Sequence, residues 1–415
     1  MKQPENPNYA AIITRVGEVH AIPGADRIKS IRVFGMTSIV SADTREGDWV
    51  VVLPTECQVS DEFARVNNLY RHSELNADPT HTGYLEDNRR VRAIKLRGMV
   101  SSTIVLPLSA LVYTKVKLDD LREGDTFDEL NGHEICKKFV RPVKVHTPRN
   151  QQRTATTYVD PHVFPEQDHV IHWARVVDDM PAHREYIVTQ KLHGTNIRVG
   201  HVPVERKLSL MERIAARLGI RVQRTKYSHV YGSHHVVKGI SDAQQHFYGE
   251  DIWTREGQRI KDVVPQNWVV FGELVGWVRE NTPIQPNYTY DVPNGEARLY
   301  VYRVVITNDQ GVQVELPWDS VMDWCRDVGL YHVPELVRYS SKVVLNVGLN
   351  AIIGTKFAGT QPWCSEPVPL SPTSPCDEGV VIRVESLSPN FYKVKADAFL
   401  EHESKALDTD EGIDE

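Results

Sequence analysis

The hexapeptide Lys191-Leu192-His193-Gly194-Thr195-Asn196 joins two apolar runs, Tyr186-Ile187-Val188 before it and Ile197 and Val199 after it. Such runs are strand-like, and a glycine among short polar residues marks a turn between them. The chain must therefore fold back here through a tight polar turn that carries a lysine at the end of a strand. Gly194 has no side chain to obstruct another backbone or a ligand. Thr195 and Asn196 add short polar groups that can hold a ligand or fix the turn. A lysine is a nucleophile only as the neutral amine, and an unperturbed pKa near ~10.4 leaves almost none of that form at neutral pH. Burial or neighbouring cations must lower it. Taken alone, the hexapeptide also reads as an ordinary hairpin turn with an exposed lysine.

With 415 residues the chain has room for two or three domains, and its 41% apolar and 25% charged content is that of a soluble globular protein. No run of about 18 apolar residues occurs, and Met1 to Pro7 lacks the apolar stretch of a signal peptide. The expectation is a soluble cytoplasmic monomer with no membrane partner. The cysteines, Cys57, Cys136, Cys325, Cys364 and Cys376, are scattered without a close pair, which argues for free thiols. A net charge of −7 argues against an overall basic surface, but the deficit is concentrated from Glu401 onward, where seven acids face Lys405 alone. Local basic patches remain open to the rest of the chain.

The first 130 or so residues read as short strands punctuated by Gly24, Gly35, Gly47 and Gly98, a pattern that suggests a small OB-like barrel. Within it Arg89, Arg90, Arg92, Lys95 and Arg97 alternate in part with apolar residues, which puts several cations on one strand face, suited to nucleic-acid phosphates or simply solvated. Residues 137 to 164 are basic and proline-rich, as in a linker. From Val204 to Lys226, Leu208, Met211, Ile214, Ala215 and Leu218 recur at helical spacing among arginines, which predicts a basic amphipathic helix.

Three further segments carry chemistry. Trp268 to Gly276 is an apolar strand with Glu273 set inside it, and acids are rarely placed in such runs without a partner. Asp377-Glu378-Gly379 opens a second β-prone run, Val380 to Val384. Tyr392-Lys393-Val394-Lys395 places two lysines on one face of a strand. A lysine nucleophile, two strand-embedded carboxylates for a divalent metal and a lysine pair for phosphate charge make a coherent phosphoryl-transfer set.

In these residues the chain resembles the covalent nucleotidyltransferases, and among them the ATP-dependent RNA ligases. Lys191 to Asn196 is similar to their motif I, with His193 where DNA ligases and capping enzymes usually have Asp. Ser233-His234 stands at motif Ia, Phe271-Gly272-Glu273 at motif III, Tyr300-Val301-Tyr302 at motif IIIa, Glu378 to Val381 at motif IV and Lys393-Val394-Lys395 at motif V. The resemblance implies an α+β fold: an OB-like barrel over 1–135, a basic linker over 136–164, and a nucleotidyltransferase domain over 165–400. That domain, ATP-grasp-like, would be built of antiparallel sheets flanked by helices, ahead of an acidic, disordered tail over 401–415. It implies ATP and Mg²⁺ or Mn²⁺ as cofactors and RNA ends as partners, with the choice among nicked duplex, broken tRNA and single strand left open.

The roles it implies are Lys191 as nucleophile, Glu273 and Glu378 as metal ligands, and Lys393 and Lys395 on the α-phosphate. Tyr302 would stack on adenine. Gln190, His193, Asn196, Ser233 and His234 join the nucleotide site, and Arg92, Lys95 and Arg97 the nucleic-acid surface. Gln190, His234 and Arg303 depart from residues common among the relatives. A DNA ligase or capping-type nucleotidyltransferase is the alternative, but those usually carry the OB domain after motif V. An inactive nucleic-acid-binding relative is a further alternative, opposed by the complete set of chemical residues.

Overall fold

The structure is a computed structural model that describes residues 4, 6–140, 159–167, 169–238, 248–353, 356–357 and 362–408. The expected linker falls mostly in 141–158 and the end of the acidic tail in 409–415, both outside the described residues. The architecture is α+β and mostly sheet.

In the N-terminal module a four-stranded antiparallel sheet runs in the order Thr126–Phe127, Ala11–Arg15, Trp49–Pro54, Thr103–Pro107. Ala11, Ile13, Val51 and Leu53 enter one apolar core, and Ile12, Val50 and Val52 enter another. Both faces are thus covered, which explains why these strands read as continuous apolar runs rather than as alternation. A three-stranded sheet, Val19–Ala21, Ile28–Val33 and Met36–Ser41, packs alongside. The two sheets are joined by isolated bonds, Ser102 N–H to Thr37 O (2.8 Å), Ser38 Oγ to Thr103 O (3.2 Å) and Ile39 N–H to Ser101 Oγ (3.0 Å), instead of a continuing ladder. Among the described residues no ladder closes them into a barrel.

Cys136–Lys138 pairs with Cys57–Val59, so the start of the expected linker belongs to this module.

Two sheets build the second part of the chain. One has the order Ile171–His172, Asn390–Lys395, Gly379–Val384, His183–Lys191, Glu335–Ser341, antiparallel except for its first pair. The larger has the order Val237–Lys238, Thr225–Gly232, Thr195–Glu205, Trp268–Arg279, Ala297–Thr307, Gln313–Glu315. The chain crosses from one to the other within 192–194, so the hexapeptide is the joint between the sheets. Alternation does the rest: Ile187 enters a core shared with Ile197, Leu274 and Phe399, while Tyr186 and Val188 pack with Leu345 and Leu349 of the helix Lys342–Ile352.

Two expectations need correction. The helix predicted over Val204 to Lys226 forms only at Leu210–Arg217, because strand pairing continues on either side as far as Glu205 opposite Thr225. A Ser209/Glu212 capping box starts it. The acidic tail is helical through its residues 401–408, within the helix Asp397–Asp408. Composition predicts a solvated segment there, but Phe399, Leu400 and Ser404 lie on its buried side.

Candidate active site

The register of three adjacent strands sets the site. Lys191 stands opposite Gly379, and Gly379 stands opposite Lys395. Glu378 precedes that glycine, and its carboxylate reaches Lys191, with Oε1 2.9 Å from Lys191 Nζ and 3.7 Å from Lys395 Nζ. Gly379 has φ +147°, and a Cβ there would lie 2.0 Å from Val394 O, so this crossing requires glycine. Gly194 is required for a different reason, since a Cβ would lie 2.1 Å from Leu274 O.

The turn is held from several sides. Tyr290 Oη accepts from the His193 N–H (2.7 Å), Gln285 Nε2 donates to Gly194 O (2.8 Å), and Glu273 Oε1 accepts from the Gly194 N–H (3.0 Å). Trp253 Nε1 donates to Asn196 O (2.9 Å). Tyr290 itself adopts φ +51°, a costly conformation for a bulky residue that marks how tightly the turn is determined. The His193 ring meets Tyr288 and Phe399 edge-on, each at 5.0 Å. Sequence reasoning missed Tyr290, Gln285 and Trp253, which act across long stretches of chain and carry no local signal.

Lys191, His193, Glu378, Lys393 and Lys395 line a cavity of about 240 Å³, closed on its other side by residues of the N-terminal module that include Tyr9, Met36, Glu56 and Lys138. Burial alone would push the Glu378 carboxyl up, but Lys191, Lys395 and His193 outweigh it and hold the group below its usual range. Burial, with help from Lys395 and Lys191, brings Lys393 down to about 7. Lys395 moves the other way, because Glu403 and Glu378 outweigh its burial. Burial holds the His193 imidazole at about 4 against the pull of Glu378 and Glu403, so it is neutral near pH 7.

The other expected site residues lie off this cavity. Asn196 stands opposite Glu273 on the larger sheet, and its Nδ2 donates to the hydroxyl of Tyr302. Tyr302 is the extra residue of a bulge between Arg303 and Val301. Gln190 is buried, and its amide is engaged by Val368 N–H (2.8 Å), Val368 O (3.0 Å) and Asp377 Oδ1 (2.9 Å). This network fixes the Gln190 side chain beside the nucleophile.

Ser233 O accepts from Arg198 Nε (2.8 Å), and Arg198 also donates to Phe164 O and Pro165 O, so this buried cation anchors the segment expected as motif Ia. His234 touches His235, which pairs with Glu166. Burial and the neighbouring His235 and His169 bring His234 down to about 4, leaving it neutral near pH 7. Arg303 is a fold residue, paired with Glu315 at 2.5 Å.

The basic face expected in the N-terminal module is divided. Only Ile94–Leu96 is strand, and residues 90–93 instead run against the C-terminal helix. Arg90 is buried between Glu56 and Asp408, and Arg92 pairs with Asp408 (2.9 Å) and Glu86 (3.3 Å). Lys95 and Arg97 are exposed.

A divalent metal can be tested against these groups. Glu378 Oε2 is buried and accepts no hydrogen bond, with His193 Nδ1 3.8 Å away. An orphaned carboxylate oxygen in a polar cavity fits a hard cation that takes its remaining ligands from phosphates and water. Among the described residues no group of three or more His, Cys, Asp or Glu forms a complete cage.

Two strand-linked sheets with a lysine at their joint, a buried carboxylate on it and two lysines beside it define a nucleotidyltransferase-type site. The RNA ligase family model matches residues 184–395, just over half of the chain, and the chain belongs to that family. No curated protein matches by sequence.

Among solved structures, the fold is similar to that of the Naegleria gruberi RNA ligase with pyrophosphate, at 16% identity and TM-score 0.59, covering 96% of this chain and 99% of that one. Variants of the same enzyme solved with ATP and manganese match with 16% identity: one at TM-score 0.57 (94% and 98% covered), another at 0.59 (95% and 99% covered). The similarity extends through the N-terminal module and bears on the fold alone. Among the described residues no helix is long and apolar enough to cross a membrane.

Proposed function

We propose that this RNA ligase joins an RNA 3′-hydroxyl to a 5′-phosphate through ATP-dependent adenylylation of Lys191. The observation that carries the reading is the three-strand row that brings Lys191, Glu378 and Lys395 to one cavity. The neutral Lys191 amine attacks the α-phosphorus of ATP. The N–P bond forms as the P–O bond to pyrophosphate breaks, and the nitrogen sheds one proton. AMP then passes to the RNA 5′-phosphate, freeing the lysine, and the 3′-hydroxyl displaces AMP to make the phosphodiester.

Each step is an in-line displacement, so positioning and charge supply most of the catalysis. Lys393 and Lys395 face the α-phosphate. Glu378 and Glu273 are the residues that would hold Mg²⁺ or Mn²⁺ directly or through its waters, and the bound metal supplies positive charge against the phosphates. Tyr302 and Asn196, next to Glu273 on the larger sheet, serve the adenosine side. The ATP and manganese bound in the Naegleria gruberi structures support the choice of nucleotide and metal. Lys95 and Arg97 offer phosphate contacts outside the cavity, and the small β module that carries them is read as OB-like.

Sealing tests the substrate class. Duplexes with one nick are compared with RNA or DNA on the 3′-hydroxyl side, since only the 2′-hydroxyl distinguishes them. The expected result is efficient joining of the RNA end, and equal joining of an all-DNA nick would defeat the RNA assignment.

A further inference from the structure

The helix Asp397–Asp408 begins just past the last residue of the family match and returns to the site. Glu403 on it holds the ammonium of Lys395 with both carboxylate oxygens, at 2.8 and 3.0 Å. Burial would push this carboxyl up, but Lys395 outweighs burial and keeps it ionised. Lys395 also lies 3.7 Å from Glu378 Oε1, the same oxygen that Lys191 holds at 2.9 Å. The two lysines therefore share one oxygen, and Lys395 lies between two carboxylates, Glu378 and Glu403.

The next residue fixes where Glu403 stands. Ser404 is 2% exposed, and its Oγ donates to Glu56 Oε1 (2.9 Å) and accepts from the Ala93 N–H (2.9 Å). Its carbonyl accepts from Arg90 Nη2 (3.1 Å). One helical turn thus joins the cavity's lysine to the N-terminal module.

We propose that Glu403 is the positioning residue for Lys395: it keeps that lysine off Glu378 and aimed at the cavity, in a place set by the docking of the C-terminal helix on the N-terminal module. This rests on the reading that Lys191 is adenylylated. Without Glu403, Lys395 needs to move only about an ångström to pair fully with Glu378, since attraction between opposite charges rises steeply as they close in a buried site. Glu378 would then be drawn from Lys191, and Lys395 from the phosphate.

The test is the rate of label transfer from α-labelled ATP to the protein, across ATP concentrations, in wild type, Glu403→Gln, Lys395→Ala and the double variant. Glu403→Gln is expected to slow transfer by about tenfold or more, and the double variant to be no slower than Lys395→Ala, because a residue acting through another adds nothing once that other is gone. Glu403→Asp, which retains the charge, is expected to recover part of the rate, and it takes the place of Glu403→Gln in the cycle if the latter melts well below wild type. ATP affinity in a Lys191→Ala background, which reads binding without reaction, is expected to show the same non-additivity. A wild-type rate in Glu403→Gln, or effects of Glu403 and Lys395 that multiply, would overturn the proposal alone. An unlabelled wild type would sink the Lys191 reading and this one with it.

Discussion

In the cavity, Lys191, Lys393 and Lys395 arrive from two strands of one sheet, and Lys191 and Lys395 meet on Glu378, whereas in the N-terminal module Arg90, Arg92, Lys95 and Arg97 follow one another along the chain and diverge. The first group is ordered by cross-strand register, which fixes side-chain position to within a residue, and both its faces are packed. The second lies where strand gives way to loop, so each cation takes whatever acid is nearest. Proximity in sequence made the second group look like a surface. Distance in sequence hid how closely the first is assembled.

The largest expected effect falls on the convergent group. Glu378→Ala leaves two lysines without their shared buried carboxylate and removes the orphaned oxygen offered to a metal, so adduct formation from α-labelled ATP should fall by at least about 10³-fold. If Glu378→Ala labels as fast as wild type, the convergence has no chemical meaning. A smaller effect concerns Lys393. Its amine titrates near 7 in the nucleotide-free protein, so its charge is full below that pH and is lost as pH rises through it. ATP affinity measured by calorimetry should weaken by roughly threefold to tenfold across that range, and Lys393→Arg, charged throughout, should flatten the profile. A pH profile indifferent to Lys393→Arg would remove this lysine from the phosphate site.

The smallest effect belongs to the divergent group. Lys95→Ala and Arg97→Ala should each weaken RNA binding by about twofold to fivefold and reduce its salt dependence by roughly one phosphate contact, with adduct formation unchanged. Arg92→Ala should behave differently, because Asp408 and Glu86 already neutralise that side chain. Its expected effect is on melting temperature rather than on the salt slope. Identical salt slopes for all three variants would erase the distinction between the exposed and the paired cations.

Much of the convergent group was legible in the sequence. A strand period of two puts Lys393 and Lys395 on one face, and glycines after Glu378 and before Thr195 announce close backbone approach. What could not be read was which distant loops return to those positions. Gln190 looked available to a ligand, yet Val368 and Asp377 come back to bind both ends of its amide. Glu403 looked like part of a solvated acidic tail because charge dominates the composition there. Its neighbours Phe399, Leu400 and Ser404 carried the helical spacing that folds it into the site. Arg92 was assigned by alternation along a strand that begins only at Ile94.

Covalent adenylylation of Lys191 is the step on which every other role of the site depends. Incubating the full chain with α-labelled ATP and Mg²⁺ or Mn²⁺, then denaturing it and mapping the label, tests this directly. The expected result is one AMP-bearing peptide containing Lys191, released by acid as expected for a phosphoramidate, and no label on Lys191→Ala of unchanged melting temperature. Label that persists in Lys191→Ala, or a wild-type protein that acquires none, would contradict it.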